Sequence, residues 1–99
     1  MDLTNARRLF FKLRAINRID VCEVHVVHEH PERGYSVDEV VFLIKALGTF
    51  HDTTDSNFLG ERFYWRTKDV YGNSVRLVIE FEEDESGDLI FVISAGDRI

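Results

Sequence analysis

Residues 61–94 read ERFYWRTKDVYGNSVRLVIEFEEDESGDLIFVIS, and three times within them apolar and polar side chains alternate. Phe63, Trp65 and Thr67 oppose Arg62, Tyr64, Arg66 and Lys68. Val75, Leu77, Ile79 and Phe81 oppose Arg76, Val78, Glu80 and Glu82, and Leu89, Phe91 and Ile93 oppose Ile90, Val92 and Ser94. A period of two is that of a strand, whose successive side chains point to opposite faces. Tyr71-Gly72-Asn73 and the segment Asp84 to Asp88 have turn compositions, so the three runs predict an antiparallel meander with one apolar face. That face must be covered, and the residues upstream supply the cover.

Leu3, Ala6, Leu9, Phe10, Leu13 and Ile16 recur at spacings of three and four, which predicts a first helix with Arg7, Arg14 and Arg18 opposite and Phe11 among them. Val21 to Val27 is rich in β-branched residues in near alternation and predicts a strand, with Cys22, Val24 and Val26 on one face. A turn around Pro31 and Gly34 leads to Ser36-Val37-Asp38-Glu39, the pattern of a capping box. Val37, Val40, Val41, Ile44 and Leu47 continue at helical spacing, and Gly48 is placed to end that helix. Thr49 to Gly60, rich in Thr, Asp, Ser and Asn, predicts a polar loop. The expected order is α-β-α-β-β-β. It is an α+β fold with helices packed on one face of a mainly antiparallel sheet, in a single domain over residues 1–99.

Composition bounds what such a domain does. With 99 residues, 44% hydrophobic and 30% charged, one soluble core is expected and any site must lie on its outside. No apolar run is long enough for a membrane span and no secretory start is visible, so no membrane association and a cytoplasmic location are expected. The single cysteine, Cys22, can form no internal disulfide and fits a reducing compartment. It reads as a small hydrophobe rather than a nucleophile. A net charge of −6 argues against a surface basic throughout, yet the charges are segregated. Glu80 to Asp88 holds acids and no base, while the first helix and residues 61–79 carry Arg7, Arg8, Lys12, Arg14, Arg18, Arg62, Arg66, Lys68 and Arg76.

The segment from His30-Pro31-Glu32-Arg33-Gly34-Tyr35-Ser36 to Val40, followed by Glu61-Arg62-Phe63 and by Leu89-Ile90-Phe91-Val92-Ile93-Ser94-Ala95, resembles the BrnT-like toxins and related small domains of the RelE type. The resemblance covers roughly residues 23–96. It implies a compact helix-on-sheet fold, an RNA endonuclease that needs no metal, and a partner antitoxin. On this resemblance His25, eight positions before Arg33, falls where the group often has its histidine, and Arg62 falls on the basic residue that opens the second strand.

Metal-free RNA cleavage needs a base at the 2′-hydroxyl, an acid at the leaving 5′-oxygen and cations around the phosphorane. Arg62, Tyr64 and Arg66 alternate on one predicted strand and Arg76 sits on the next, so three guanidiniums and a phenol can meet a phosphate. His25, His28 or His30 can supply an imidazole for the proton transfers. The competing reading pairs these arginines with Glu61, Glu80 or Glu82 as ordinary sheet-face ion pairs. On an extended chain His28 and His30 point to one side and His25 to the other, so a metal site at His25-x-x-His28-x-His30 requires the strand to end in a turn between them; no metal or cofactor is expected. Trp65 belongs to the core. The acidic run reads as a solvated hairpin tip, or as a partner for the basic first helix of the same chain or of a second copy. Two function classes stay open: a toxin-like ribonuclease with His25, His28, Tyr64, Arg62, Arg66 and Arg76 as its site, and a non-catalytic protein-interaction module of the same fold, homodimeric in one version.

Overall fold

The computed structural model describes residues 1–29, 33–52 and 61–97. The first helix, α1, spans Leu3–Ala15. Asp2 caps it by accepting the Asn5 backbone N–H at 2.8 Å, which satisfies one of the amides that the first turn leaves unpaired. Its buried stripe is Ala6, Phe10 and Leu13. Asn17, in the left-handed region at φ 61°, turns the chain into strand β1, Ile19–Val21. Helix α2 spans Val37–Lys45, and the Ser36 hydroxyl accepts the Glu39 N–H at 3.1 Å, as the capping pattern predicts. Strands β2 (Gly48–Asp52), β3 (Phe63–Lys68), β4 (Ser74–Asp84) and β5 (Gly87–Asp97) follow.

The five strands form one mixed sheet in the order β1-β5-β4-β3-β2, with β1 parallel to β5 and the remaining pairs antiparallel. The protein is therefore α+β, and the meander β3-β4-β5 is where the alternation places it. Trp65 lies at the centre of the covered face. Only 1% exposed, it packs 4.6 Å from the Phe10 ring of α1, and its indole N–H donates to the Leu43 carbonyl of α2 at 2.9 Å. Phe50 and Phe63 stack beside it at 5.2 Å. Among the described residues no helix is long and apolar enough to cross a membrane.

Four expectations are corrected. The predicted strand Val21–Val27 leaves the sheet almost at once. Cys22 still donates its N–H to the Val92 carbonyl at 2.8 Å, but Val26 then bonds back to Cys22 and Glu29 to Val24, so Val24–His28 is a single π-helical stretch. The turn buries Val26 and leaves Val24 61% exposed, so packing against the core overrides a β-branched run. This inserts an unpredicted element after β1. Second, the polar segment from Thr49 contributes the edge strand β2; the rest of that predicted loop, 53–60, lies outside the described residues, as does the turn around Pro31. The observed order thus carries one strand more than expected. Third, α2 ends at Ala46 rather than against Gly48. Gly48 begins β2, where a Cβ would stand 2.4 Å from the Arg66 carbonyl oxygen and 2.8 Å from the Trp65 ring, so glycine is required by close approach. Finally, Ile90 and Val92 of β5, fully buried opposite Phe81 and Ile79, face the core in place of Phe91 and Ile93. A register shift opposite Val78 and Ile79 then returns Ala95 to the covered face.

Candidate functional site

The register of the meander also fixes what stands together on its other face. Thr49 of β2, Arg66 of β3, Arg76 of β4 and Gly96 of β5 are successive partners across the sheet. His51, Tyr64, Val78 and Ser94 form the next row. Arg66 and Arg76 are thus direct cross-strand neighbours of like charge, an arrangement that costs stability unless an anion lies near. No carboxylate meets either of them among the described residues. The Arg76 guanidinium leans diagonally over the Tyr64 ring, 4.6 Å from its centroid. Arg66 is half-buried, and its Nε is shielded from solvent with no acceptor among the described residues.

A third guanidinium joins the row from outside the sheet. Arg33 donates to the Ala95 carbonyl at 3.2 Å, and its Nη1 lies 3.8 Å from where a Gly96 side chain would begin. Because Gly96 is the cross-strand partner of Arg76, the cations Arg66, Arg76 and Arg33 stand over three consecutive strands of one face. Beside them, His51 and Tyr64 are cross-strand partners, and the His51 imidazole shares a 2.7 Å hydrogen bond with the Thr49 hydroxyl. Arg62, on the same face, faces Glu80 at 3.6 Å, with both side chains about a quarter exposed. Glu80 has its pKa raised, chiefly by burial and then by the adjacent Glu82 carboxylate, while Arg62 pulls it down.

His25 and His28 are not on the sheet. They lie on the π-helical stretch, where His25 Nδ1 is 2.7 Å from Glu29 and His28 Nε2 is 3.7 Å from Glu23. The opposite orientation expected of them on an extended strand does not apply, and His30 lies outside the described residues. Among the described residues no group of three or more His, Cys, Asp or Glu side chains is arranged to hold a metal. Cys22 is half-buried beyond the end of β1.

Two of the basic residues in and just after α1 serve the fold. Arg14 lies over the rings of Phe11 at 4.7 Å and Trp65 at 5.5 Å and donates to the Ala46 carbonyl. Arg18 pairs with Asp84 and donates to the Gly87 and Asp88 carbonyls, tying the end of α1 to the acidic β4-β5 hairpin. The opposite charges noted in the sequence therefore meet, at one pair, within the chain.

The sequence-derived set is split as follows: Arg66, Arg76 and Tyr64 come together, Arg62 is nearby but engaged with Glu80, and the two histidines are elsewhere. His51 and Arg33 are the residues that the sequence reading did not assign to the site. His51 was concealed because Thr49 to Gly60 has loop composition, although Thr49, Phe50 and His51 by themselves alternate. Arg33 stood out only as part of a motif, since nothing in local spacing brings it to β5. No protein-family model, curated protein or solved structure matches the chain.

Proposed function

We propose that the chain is a toxin-like RNA endonuclease of the BrnT/RelE type that works without a metal, and that the open face of its sheet binds the phosphodiester. The observation that carries this reading is the like-charged neighbour pair Arg66 and Arg76, which no carboxylate neutralises among the described residues. A phosphate oxygen between them removes the repulsion and gains charge-assisted hydrogen bonds, bidentate where the fork of a guanidinium faces it. The negative charge that grows on a phosphorane makes the same cations bind the transition state more tightly than the substrate.

The row alongside supplies proton carriers. Tyr64 lies beneath Arg76, and His51 is its cross-strand neighbour. An imidazole can accept the 2′-hydroxyl proton and a phenol can give one to the departing 5′-oxygen, which is the division of labour that cyclising cleavage requires. In this scheme His25 and His28 have no part. Overall acidity is compatible with it, because net charge is an average over the surface: six of the eighteen acidic residues lie between Glu80 and Asp88, whereas Arg66 and Arg76 stand side by side on the sheet.

The test is induced expression in bacteria of the chain and of its Arg66→Ala/Arg76→Ala variant, with growth and the termini of cellular RNA followed together. Growth arrest and 2′,3′-cyclic phosphate ends with the native chain, both lost in the variant, support the proposal; equal behaviour of the two chains overturns it. A second reading, a non-catalytic interaction module, is favoured by Phe42, Val70 and Tyr71, which leave more than half of their surface exposed around a cleft between α2 and the β3-β4 turn. That reading predicts no arrest and no RNA ends from either chain.

A further inference from the structure

The two cations at the far end of the row do not converge. Arg76 leans away from β5, toward Tyr64 on β3, whereas Arg33 is held on the β5 side by its hydrogen bond to Ala95 and lies against Gly96. Adjacent strands are separated by about 4.8 Å, so Arg66 on β3 and Arg33 over β5 are anchored about 10 Å apart. A single phosphate between Arg66 and Arg76 is too far along the row to be shared with Arg33. A chain of phosphates is not.

We infer that Arg33 is a binding residue for a second phosphate, and that the ligand of this face is an extended single strand whose backbone runs across β3, β4 and β5, perpendicular to the strands. The inference rests on the phosphate-site reading and deepens it. It assigns a residue and a direction that the Arg66 and Arg76 pair alone leaves open. Three features of the structure support it. The side chain of Arg33 is held by a backbone carbonyl, and among the described residues no carboxylate pairs with it. Position 96 carries no side chain, which leaves the guanidinium room to lie close to the sheet in line with Arg76. Among the described residues, the two helices meet Trp65 on the opposite face of the sheet and do not cross this path.

The experiment is fluorescence-anisotropy titration of a short 2′-O-methyl single-stranded oligonucleotide, which cannot be cleaved, at a series of salt concentrations, beside titration with a nucleoside 3′-monophosphate. Each phosphate neutralised contributes about 0.7 to the slope of log K against log salt for a single strand. Arg33→Ala is expected to reduce that slope by about 0.7 and to leave monophosphate binding unchanged, while Arg66→Ala and Arg76→Ala weaken both probes. Arg33→Lys keeps the charge and is expected to keep the slope. An unchanged slope in Arg33→Ala, or an equal loss for the monophosphate, overturns the second-phosphate assignment and leaves the first site standing. A slope lost in Arg33→Lys as fully as in Arg33→Ala also overturns it, since Arg33 would then act by holding β5. If Arg66→Ala and Arg76→Ala change neither probe, the phosphate-site reading itself fails.

Discussion

Arg66→Thr is expected to leave the fold as stable as before, or to raise its stability, while weakening phosphate binding. Three contributions decide the sign. Relief of the cross-strand repulsion with Arg76 is worth about 0.2 to 1 kcal/mol. Removal of the shielded Nε that lacks an acceptor returns about 1 kcal/mol or more. Against these stands the apolar stem of a half-buried side chain, about 1 kcal/mol at ~0.8 kcal/mol per fully buried methylene. Threonine suits a strand at this position and faces Thr49 across it. The net is a change between zero and a gain of about 1 kcal/mol, or up to roughly 5 °C in Tm for a domain of this length. Urea denaturation followed by the fluorescence of Trp65 measures it directly. The gain should shrink at high salt, where the repulsion in the native chain is already screened. A loss of more than about 1 kcal/mol would instead make Arg66 a structural residue whose partner is part of the fold, contrary to a phosphate-binding role.

Other substitutions test the scaffold. Gly48→Ala drives a Cβ into the Arg66 carbonyl and the Trp65 ring and should cost about 3 kcal/mol in urea denaturation; a cost below about 1 kcal/mol would mean that β2 can move away. Ser36→Ala removes the cap of α2 and should cost about 1 kcal/mol, seen as a lower urea midpoint at unchanged m-value. Asp84 has its pKa lowered first by the hydrogen bond from Arg18 and then by the Ser86 N–H. A carboxylate depressed in the folded state contributes stability above its unfolded pKa and loses it as pH falls through the folded value. Asp84→Asn should therefore destabilise the chain at neutral pH, and the gap to the native chain should close below about pH 4. A gap that is constant with pH would contradict the ion pair.

The parts of the fold that could be read from the chain are those where one local signal had no competitor. The Ser36 cap, the stripe Ala6, Phe10, Leu13 and the alternation on either side of Trp65 each point to one structure. Where two signals coincide, reading failed. Val24 to Val27 has strand propensity, but burying Val26 against the core demanded a helical turn. β5 is apolar on both faces, so a period of two could not say which face is covered, and the register shift near Ile93 lies beyond any local pattern. Edge strand β2 buries only Phe50, and its polar residues have the composition of a loop. The site followed the same division. Arg66, Arg76 and Tyr64 were legible because alternation and turn length set their register, whereas His51 and Arg33 reach the site through β2 pairing and a contact to β5 across 62 positions of chain.

Phosphodiester cleavage at this sheet face can be observed by incubating the purified chain with single-stranded RNA in the presence of a chelator. The native chain is predicted to yield fragments ending in 2′,3′-cyclic phosphate. The folded Arg66→Thr/Arg76→Thr variant is predicted to be slower by about a hundredfold or more, the scale set by removing charge stabilisation from a transition state. Cleavage by the variant at the native rate, or none by the native chain, would contradict it.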